Sequence, residues 1–331
     1  MAVTQVGEGA KIVSPVTQTV YKLVQTVGNG SYGTVFKAKP GSSLKHVAVK
    51  IIDVSGMGDE VNTILQEVSL TQRAYEFSDG RCPKCIEAFA LCVPGKFQRS
   101  KKYIVIVMDF IDGICLSELL LNDRPLNEIL ATYVLYEIAA ALKGLHAHNM
   151  IHRDIKSSNV MISKEGEVFV CDFGVSKILG EHCSATSTMN GTPLWMAPEV
   201  IKELSYNQSA DIYSLGITAV ELVLGHPPLP DRSVISTVDP CDILSHLRSQ
   251  TRPEANLDKT VFSRFFRNVL VGKCLQLDPG SRSTADEIVA AIYFQYNNVP
   301  LPDGKTPVLM MGAYRPKLSL TRLITDVTTN N

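Results

Sequence analysis

The stretch Gly28-Asn29-Gly30-Ser31-Tyr32-Gly33, continued by Thr34-Val35-Phe36-Lys37-Ala38-Lys39-Pro40-Gly41, decides between two folds. Its GxGxxG spacing also serves the Rossmann dinucleotide fold, and Asp53 stands twenty residues after Gly33, near where a ribose-binding acid belongs. A Rossmann glycine turn must run into a helix. Here the glycines run into a β-prone segment stopped by Pro40-Gly41, so the local pattern predicts strand–loop–strand. A glycine flap over phosphates fits that arrangement, and a ligand-free glycine hairpin is the plain alternative when the motif is taken alone.

Working outward, Tyr21–Val27 and Thr34–Lys39 flank the loop, and Val47–Asp53 and Tyr103–Phe110 are rich in β-branched residues, as strands require. Between them Glu60–Tyr75 sets Val61, Ile64, Leu65 and Val68 at helical spacing. After Gly113 the pattern turns helical over Leu116–Leu121, Leu126–His148, Ala210–Leu224 and Phe262–Gln276. The expected plan is α+β and bilobal: a small strand-rich N-lobe over about 20–111, a larger helical C-lobe over about 112–297, and a cleft between them. Residues 1–19 lack periodicity and read as a flexible leader. Residues 298–331 carry Pro300, Pro302, Pro307 and Pro316 and read as an extended tail.

The chain has 331 residues, with 33 Asp+Glu against 32 Lys+Arg and a formal charge of −1, so it lacks the basic excess typical of a nucleic-acid binder. Its 45% hydrophobic and 20% charged composition is that of an ordinary globular protein and excludes collagen-like or wholly disordered structure. The most apolar helical segment, Ile129–Leu145, is interrupted by Glu137 and Lys143, short of a membrane span. Glu8 and Lys11 stand where a signal peptide would be apolar, and neither end matches a lipidation pattern, so a cytoplasmic address is expected. Eight scattered cysteines suit reduced thiols, and Cys82 and Cys85 form a CxxC without the second ligand pair a zinc site needs.

The glycine loop has company. Val47-Ala48-Val49-Lys50 follows on the next strand, with Glu67 on the helix behind it. His152-Arg153-Asp154-Ile155-Lys156-Ser157-Ser158-Asn159 reads HRDxKxxN, Asp172-Phe173-Gly174 reads DFG, and Ala197-Pro198-Glu199 reads APE. Five motifs in this order make chance agreement negligible.

Over about residues 20–297 the sequence resembles the eukaryotic protein kinase family. Asp172–Ser176 (DFGVS), Gly191–Ile201 (GTPLWMAPEVI) and Asp211–Glu221 (DIYSLGITAVE) look like the Sterile-kinase group, which includes germinal-centre and Hippo-type kinases. Lys156 in HRDIKSSN and Thr192 in GTP resemble serine/threonine rather than tyrosine kinases.

The resemblance implies transfer of the ATP γ-phosphate to Ser/Thr hydroxyls of protein substrates, with Mg2+, or Mn2+ as a substitute, in a signalling cascade. Phosphoryl transfer has a loose transition state, so catalysis is mostly positioning and electrostatics. Gly28, Asn29, Gly30, Ser31, Tyr32 and Gly33 would cover the phosphates, and Lys50, held by Glu67, would hold the α- and β-phosphates. Asn159 and Asp172 would supply oxygen ligands to the metal. Asp154 would orient the substrate hydroxyl and accept its proton, Lys156 would neutralise the transferred group, and Thr192 would brace both. For adenine, Val35 and Ala48 are the implied roof, Met161 the floor and Met108 the gatekeeper, with backbone groups of Asp109 and Ile111 at its edge.

Glu199 and Arg282 resemble a buried structural ion pair. Thr188 is the implied activating phosphosite, pairing with Arg153, and Thr186 or Ser187 could substitute. The implied partners are protein substrates and an upstream kinase or a trans-autophosphorylating copy, with no nucleic acid and no membrane. One position departs from the family pattern: Thr71 stands where an apolar residue usually packs, one turn after Glu67, which leaves either a looser helix or Glu60 as the partner of Lys50. Three rival readings are a mitogen-activated-kinase-kinase-like dual-specificity kinase, a pseudokinase scaffold and a small-molecule phosphotransferase. Lys50, Asp154 and Asp172 count against the second, and the long Asp172–Glu199 segment against the third.

Overall fold

The decisive glycine stretch folds as a strand pair, β2 (Val20–Gly30) and β3 (Gly33–Pro40), in register Gly28↔Val35, Asn29↔Thr34 and Gly30↔Gly33. This computed structural model describes residues 6–30, 33–41, 43–56, 60–93, 100–121, 125–179, 186, 191–228 and 257–297. The chain divides into two compact units, one formed by Met1–Glu76 with Pro83–Ile111 and the other by Phe77–Cys82 with Asp112–Asn331.

In the first unit β1 (Lys11–Val13), β4 (Val47–Asp53), β5 (Cys85–Val93) and β6 (Lys101–Asp109) complete an antiparallel sheet of order β1-β2-β3-β4-β6-β5. β4 is buried from Val47 to Ile52 because both of its faces meet apolar side chains. One face joins Val49 and Ile51 to Tyr21, Leu23, Phe36, Val105 and Val107. The other joins Ile52 to Ile104 and Ile106, with Val68 of α1 (Glu60–Phe77) packed against them. Gly33 must be glycine for packing reasons, since a Cβ there would lie 2.4 Å from the Ile51 carbonyl oxygen.

The expected flexible leader over residues 1–19 does not hold at Lys11–Val13, which is a strand. Ile12 is fully buried and pairs with Tyr21, so the sheet begins at Lys11. A three-residue strand with one inward side chain carries too little alternation to be read from sequence. The segment after it is held by Glu87 of β5, whose carboxylate accepts hydrogen bonds from Ser14 Oγ (2.7 Å), Thr17 Oγ1 (3.2 Å) and Tyr21 OH (2.5 Å). β5 itself escaped the sequence reading because this buried glutamate interrupts its apolar pattern.

The second unit is mainly helical. α3 (Glu128–Ala147) is capped by Asn127, whose side chain accepts from Leu130 N at 2.9 Å. α5 (Ser209–Leu224) is buried from Ala210 to Val223 and ends at Gly225 in the left-handed conformation (φ 80°). The Phe262–Gln276 helix of the sequence reading is instead a π-helical run, Phe265–Val271, followed by the short α6 (Gly272–Cys274). α2 (Leu116–Leu119), α4 (Pro198–Ile201) and α7 (Ala285–Asn297) complete the helices described. A three-stranded sheet of β7 (Gly113–Cys115), β9 (Val160–Ser163) and β10 (Val168–Val170) and a pair of β8 (Met150–Ile151) with β11 (Lys177–Ile178) position the loops of interest. The tail over 298–331 and most of Arg232–Lys259 lie outside the described residues.

Candidate active site

Between β8 and β9 the chain runs through His152–Asn159, anchored from below by Asp211 at the start of α5. Asp211 is completely buried and accepts from His146 Nε2 (2.8 Å), His152 N (2.9 Å) and Arg153 N (2.7 Å). Burial works to raise its carboxyl pKa, but these hydrogen bonds and the nearby histidines hold it below the ordinary aspartate range. The anchor matters because Arg153 sits at φ 71°, a left-handed backbone that a non-glycine residue keeps only when its surroundings impose it.

The loop gathers Asp154, Lys156 and Asn159 with Thr192 from the segment before the Pro193–Trp195 turn. Thr192 Oγ1 donates to Asp154 Oδ1 at 2.7 Å and accepts from Lys156 Nζ. Lys156 Nζ also lies 2.8 Å from Asp154 Oδ2, and Asn159 Nδ2 donates to both the Asp154 carbonyl and Oδ2 at 2.8 Å. One carboxylate is thus fixed by three side chains, which is what a group that must orient a substrate atom requires.

The β9–β10 hairpin brings in Asp172. Its register Val160↔Val170 continues to a hydrogen bond from Cys171 N to the Asn159 carbonyl at 2.8 Å, which sets Asp172 beside the catalytic loop. Asp172 also takes a left-handed backbone, φ 64°, and its Oδ1 accepts from Gly174 N at 3.2 Å. Because Asn159 spends its amide nitrogen on Asp154, its amide oxygen is the atom left for a cation. A carboxylate and an amide oxygen are hard oxygen donors of the kind that a divalent cation takes. In the second unit burial pushes the Cys82 thiol up to about 12, and in the first unit it pushes Cys85 up to about 11, so both stay protonated.

In the first unit Lys50 is buried on β4 with Val35 and Ile106 as cross-strand neighbours, and Ala48 pairs with Met108. Ile111 is buried, whereas Asp109 is exposed and its N–H donates to Lys84 O at 3.0 Å, so that N–H is committed. Met161 lies in β9 of the second unit opposite Phe169 and Cys115. Glu67 and Glu60 belong to α1, but their side chains, like Ser31, Tyr32, Thr188 and Ser187, lie outside what is described. Thr71 is buried in the same helix.

Glu199 and Arg282 form a two-pronged buried pair, Nη1 to Oε1 at 2.5 Å and Nη2 to Oε2 at 2.7 Å, while Arg282 also donates to the carbonyls of Gln276 and Ser209. The Arg153 guanidinium donates to Ser176 O at 3.2 Å, and its Nε has no hydrogen-bond partner among the described residues. Thr186 is buried, bridged to Tyr206, and its Oγ1 accepts from Lys177 Nζ at 3.0 Å, so it is not an accessible phosphate acceptor in this arrangement.

Sequence reasoning missed Asp211, Glu221 and His146. A signal existed, since Asp211 and Glu221 are acids inside the apolar helix Ala210–Leu224, where a charge is tolerated only if other groups hydrogen-bond to it.

A protein kinase domain model matches residues 21–294. The chain is 35% identical over 266 residues to serine/threonine-protein kinase ppk11 of Schizosaccharomyces pombe, covering 80% of this chain and 78% of that protein. It is 36% identical over 276 residues to sid1 of the same organism, covering 83% of this chain and 54% of the relative. For fray1 of Dictyostelium discoideum the identity is 33% over 275 residues, with 81% and 45% covered. The chain therefore spans from under half to more than three quarters of these relatives' lengths. A domain match over most of the chain, together with relatives that are all serine/threonine kinases, establishes that the chain belongs to the eukaryotic protein kinase family, as a serine/threonine kinase of the Sterile group.

Proposed function

We propose that this chain moves the γ-phosphoryl group of ATP to serine and threonine hydroxyls of protein substrates, with Asp154, Lys156, Thr192, Asn159, Asp172 and Lys50 as the working groups. The observation that carries this reading is the Asp154–Lys156–Asn159–Thr192 cluster, in which every member is fixed by another. Asp154 orients the acceptor hydroxyl and takes its proton as the new oxygen–phosphorus bond forms and the bond to the β–γ bridging oxygen breaks. Lys156 lies against Asp154 and compensates charge on the transferring group. Asn159 and Asp172 would hold Mg2+, which when bound neutralises phosphate charge. In the first unit the glycine strands and Lys50 serve the phosphates, and Val35, Ala48 and Met108 serve the adenine. Lys50, Asp154 and Asp172 together make an inactive scaffold the weaker reading.

The proposed working domain is 20–297, a reading that the strand Lys11–Val13 supports carrying further towards the N-terminus, and its substrates belong to a cytoplasmic signalling cascade. No helix among the described residues is long and apolar enough to cross a membrane. Thr188 is the proposed activating phosphosite, filled by an upstream kinase or a second copy, with Arg153 as its charge partner.

Purified Asp154→Asn should keep ATP binding and lose turnover by roughly 10²–10⁴-fold in a radiolabelled-ATP peptide assay, the ordinary size of general-base and orienting effects. Near-normal turnover in that variant sinks the assignment. Mass spectrometry after incubation with MgATP, beside Thr188→Ala, tests the regulatory site. An unmodified Thr188 in fully active protein removes it and leaves the kinase reading standing.

A further inference from the structure

Glu221 is a buried carboxylate that the proposed mechanism does not use, and its three donors come from both sides of the catalytic cluster. Ser157, the residue after Lys156, gives it a hydroxyl at 2.5 Å and a backbone N–H at 3.2 Å. Trp195, at the end of the turn that Thr192 opens, gives it an indole N–H at 3.0 Å. The turn is itself closed by Trp195 N donating to Thr192 O at 3.0 Å. Following the bonds gives a ring: Lys156 to Thr192, along the turn to Trp195, through Glu221 to Ser157, and back to Lys156. Asp154 is bonded to the Lys156–Thr192 end of the ring, and Glu221 closes the opposite end.

We infer that Ser157 and Glu221 are positioning residues for phosphoryl transfer, and that Glu221 sets the distance between the catalytic loop and the Thr192 turn. This rests on the function proposed above. Thr192 reaches Asp154 and Lys156 through one hydroxyl, so a small tilt of its turn would lengthen both bonds together. The Trp195–Glu221–Ser157 bridge resists that tilt. A buried carboxylate can do so only if it is hydrogen-bonded, and three donors reach its two oxygens. Glu221 is 6% exposed, so water does not replace a lost donor easily. Ser214 Oγ, about two turns before Glu221 on the same face of α5, donates to Trp195 O at 2.8 Å and holds the tryptophan backbone.

The test compares the full chain with Ser157→Ala, Ser157→Thr, Trp195→Phe and the Ser157→Ala/Trp195→Phe double variant, measuring kcat, KM for ATP and melting temperature on a peptide pool containing serine and threonine. Each single loss should lower kcat roughly 10- to 100-fold, the scale on which small misplacements of reacting groups act, with KM for ATP unchanged. Ser157→Thr should restore most of kcat by returning the hydroxyl. The double variant should lose little more than the worse single one, because both act through one carboxylate.

Wild-type kcat in the folded single variants overturns the inference, as does a Ser157→Thr variant as impaired as Ser157→Ala. Losses that follow melting temperature alone, with no separation of kcat from KM, mark Glu221 as structural support and overturn it too. An active wild type with an inactive Asp154→Asn and a normal Ser157→Ala removes this inference while keeping the kinase reading. An inactive wild type removes both.

Discussion

Arg282 and Glu199 show how a residue's chemistry can be read early and its energetics only later. The pair was legible because APE and the Asp278–Arg282 stretch stand at matching places in the family, yet sequence says nothing of burial. In the structure Arg282 has no exposed side-chain surface and Glu199 is 6% exposed. Removing one partner strands the other charge, so Glu199→Ala should cost about 3–5 kcal/mol in urea unfolding, whereas Glu199→Leu combined with Arg282→Met should cost clearly less than either single change. Equal losses in single and double variants would show that the carbonyl contacts of Arg282, rather than the ion pair, set its worth. Arg153 and Asp172 make the complementary point. Their identities came from motifs, but their left-handed backbones, φ 71° and φ 64°, depend on Asp211 and on the hairpin around them.

Elements followed the sequence where a long periodic pattern met a clear stop. α3 is the clearest case: apolar residues at helical spacing, an asparagine cap at the front and His146 in the last turn. Asn127→Ala should lower stability by about 1 kcal/mol, since Leu130 N loses the side-chain acceptor at 2.9 Å, and a shift in the urea midpoint at constant m-value would register it. No shift would mean that water satisfies the helix end. The π-helical run Phe265–Val271 was not legible, because its apolar residues fit an α-helical pattern as well and the wider hydrogen bonding has no compositional mark. β1 and β5 were missed for opposite reasons, one being too short to alternate and the other carrying a buried acid.

At the scale of the whole chain, the N-terminal segment belongs to the first unit's sheet through Ile12 in its core and through Glu87. Ile12→Ala should therefore destabilise the protein by about 2–5 kcal/mol, a loss that a free leader would not show. The same network carries a pH dependence. Burial, then the hydrogen bond and charge of Glu87, push the Tyr21 hydroxyl up to about 12 from its ordinary 10.0. A folded-state pKa above the unfolded one means that the folded state holds the proton more tightly, so this contribution is complete below pH 10 and disappears as pH climbs towards 12. Stability of the wild type relative to Tyr21→Phe should fall over that window in denaturant titrations. A constant difference across it would disconnect Tyr21 from the alkaline limb.

What the sequence by itself determined is the chemistry carried by neighbours along the chain: the glycine pair of strands in place of a Rossmann turn, the HRDxKxxN and DFG loops, and the alternation of strand and helix periods. These signals are local, so a short window contains them. Only the tertiary structure decided which groups hold those loops in place. Arg153 meets Asp211 across 58 residues, Ser157 meets Glu221 across 64 and Ser14 meets Glu87 across 73. In each case an acid that looks misplaced in its own element is made tolerable by donors from far along the chain, and no periodicity records a hydrogen bond of that separation.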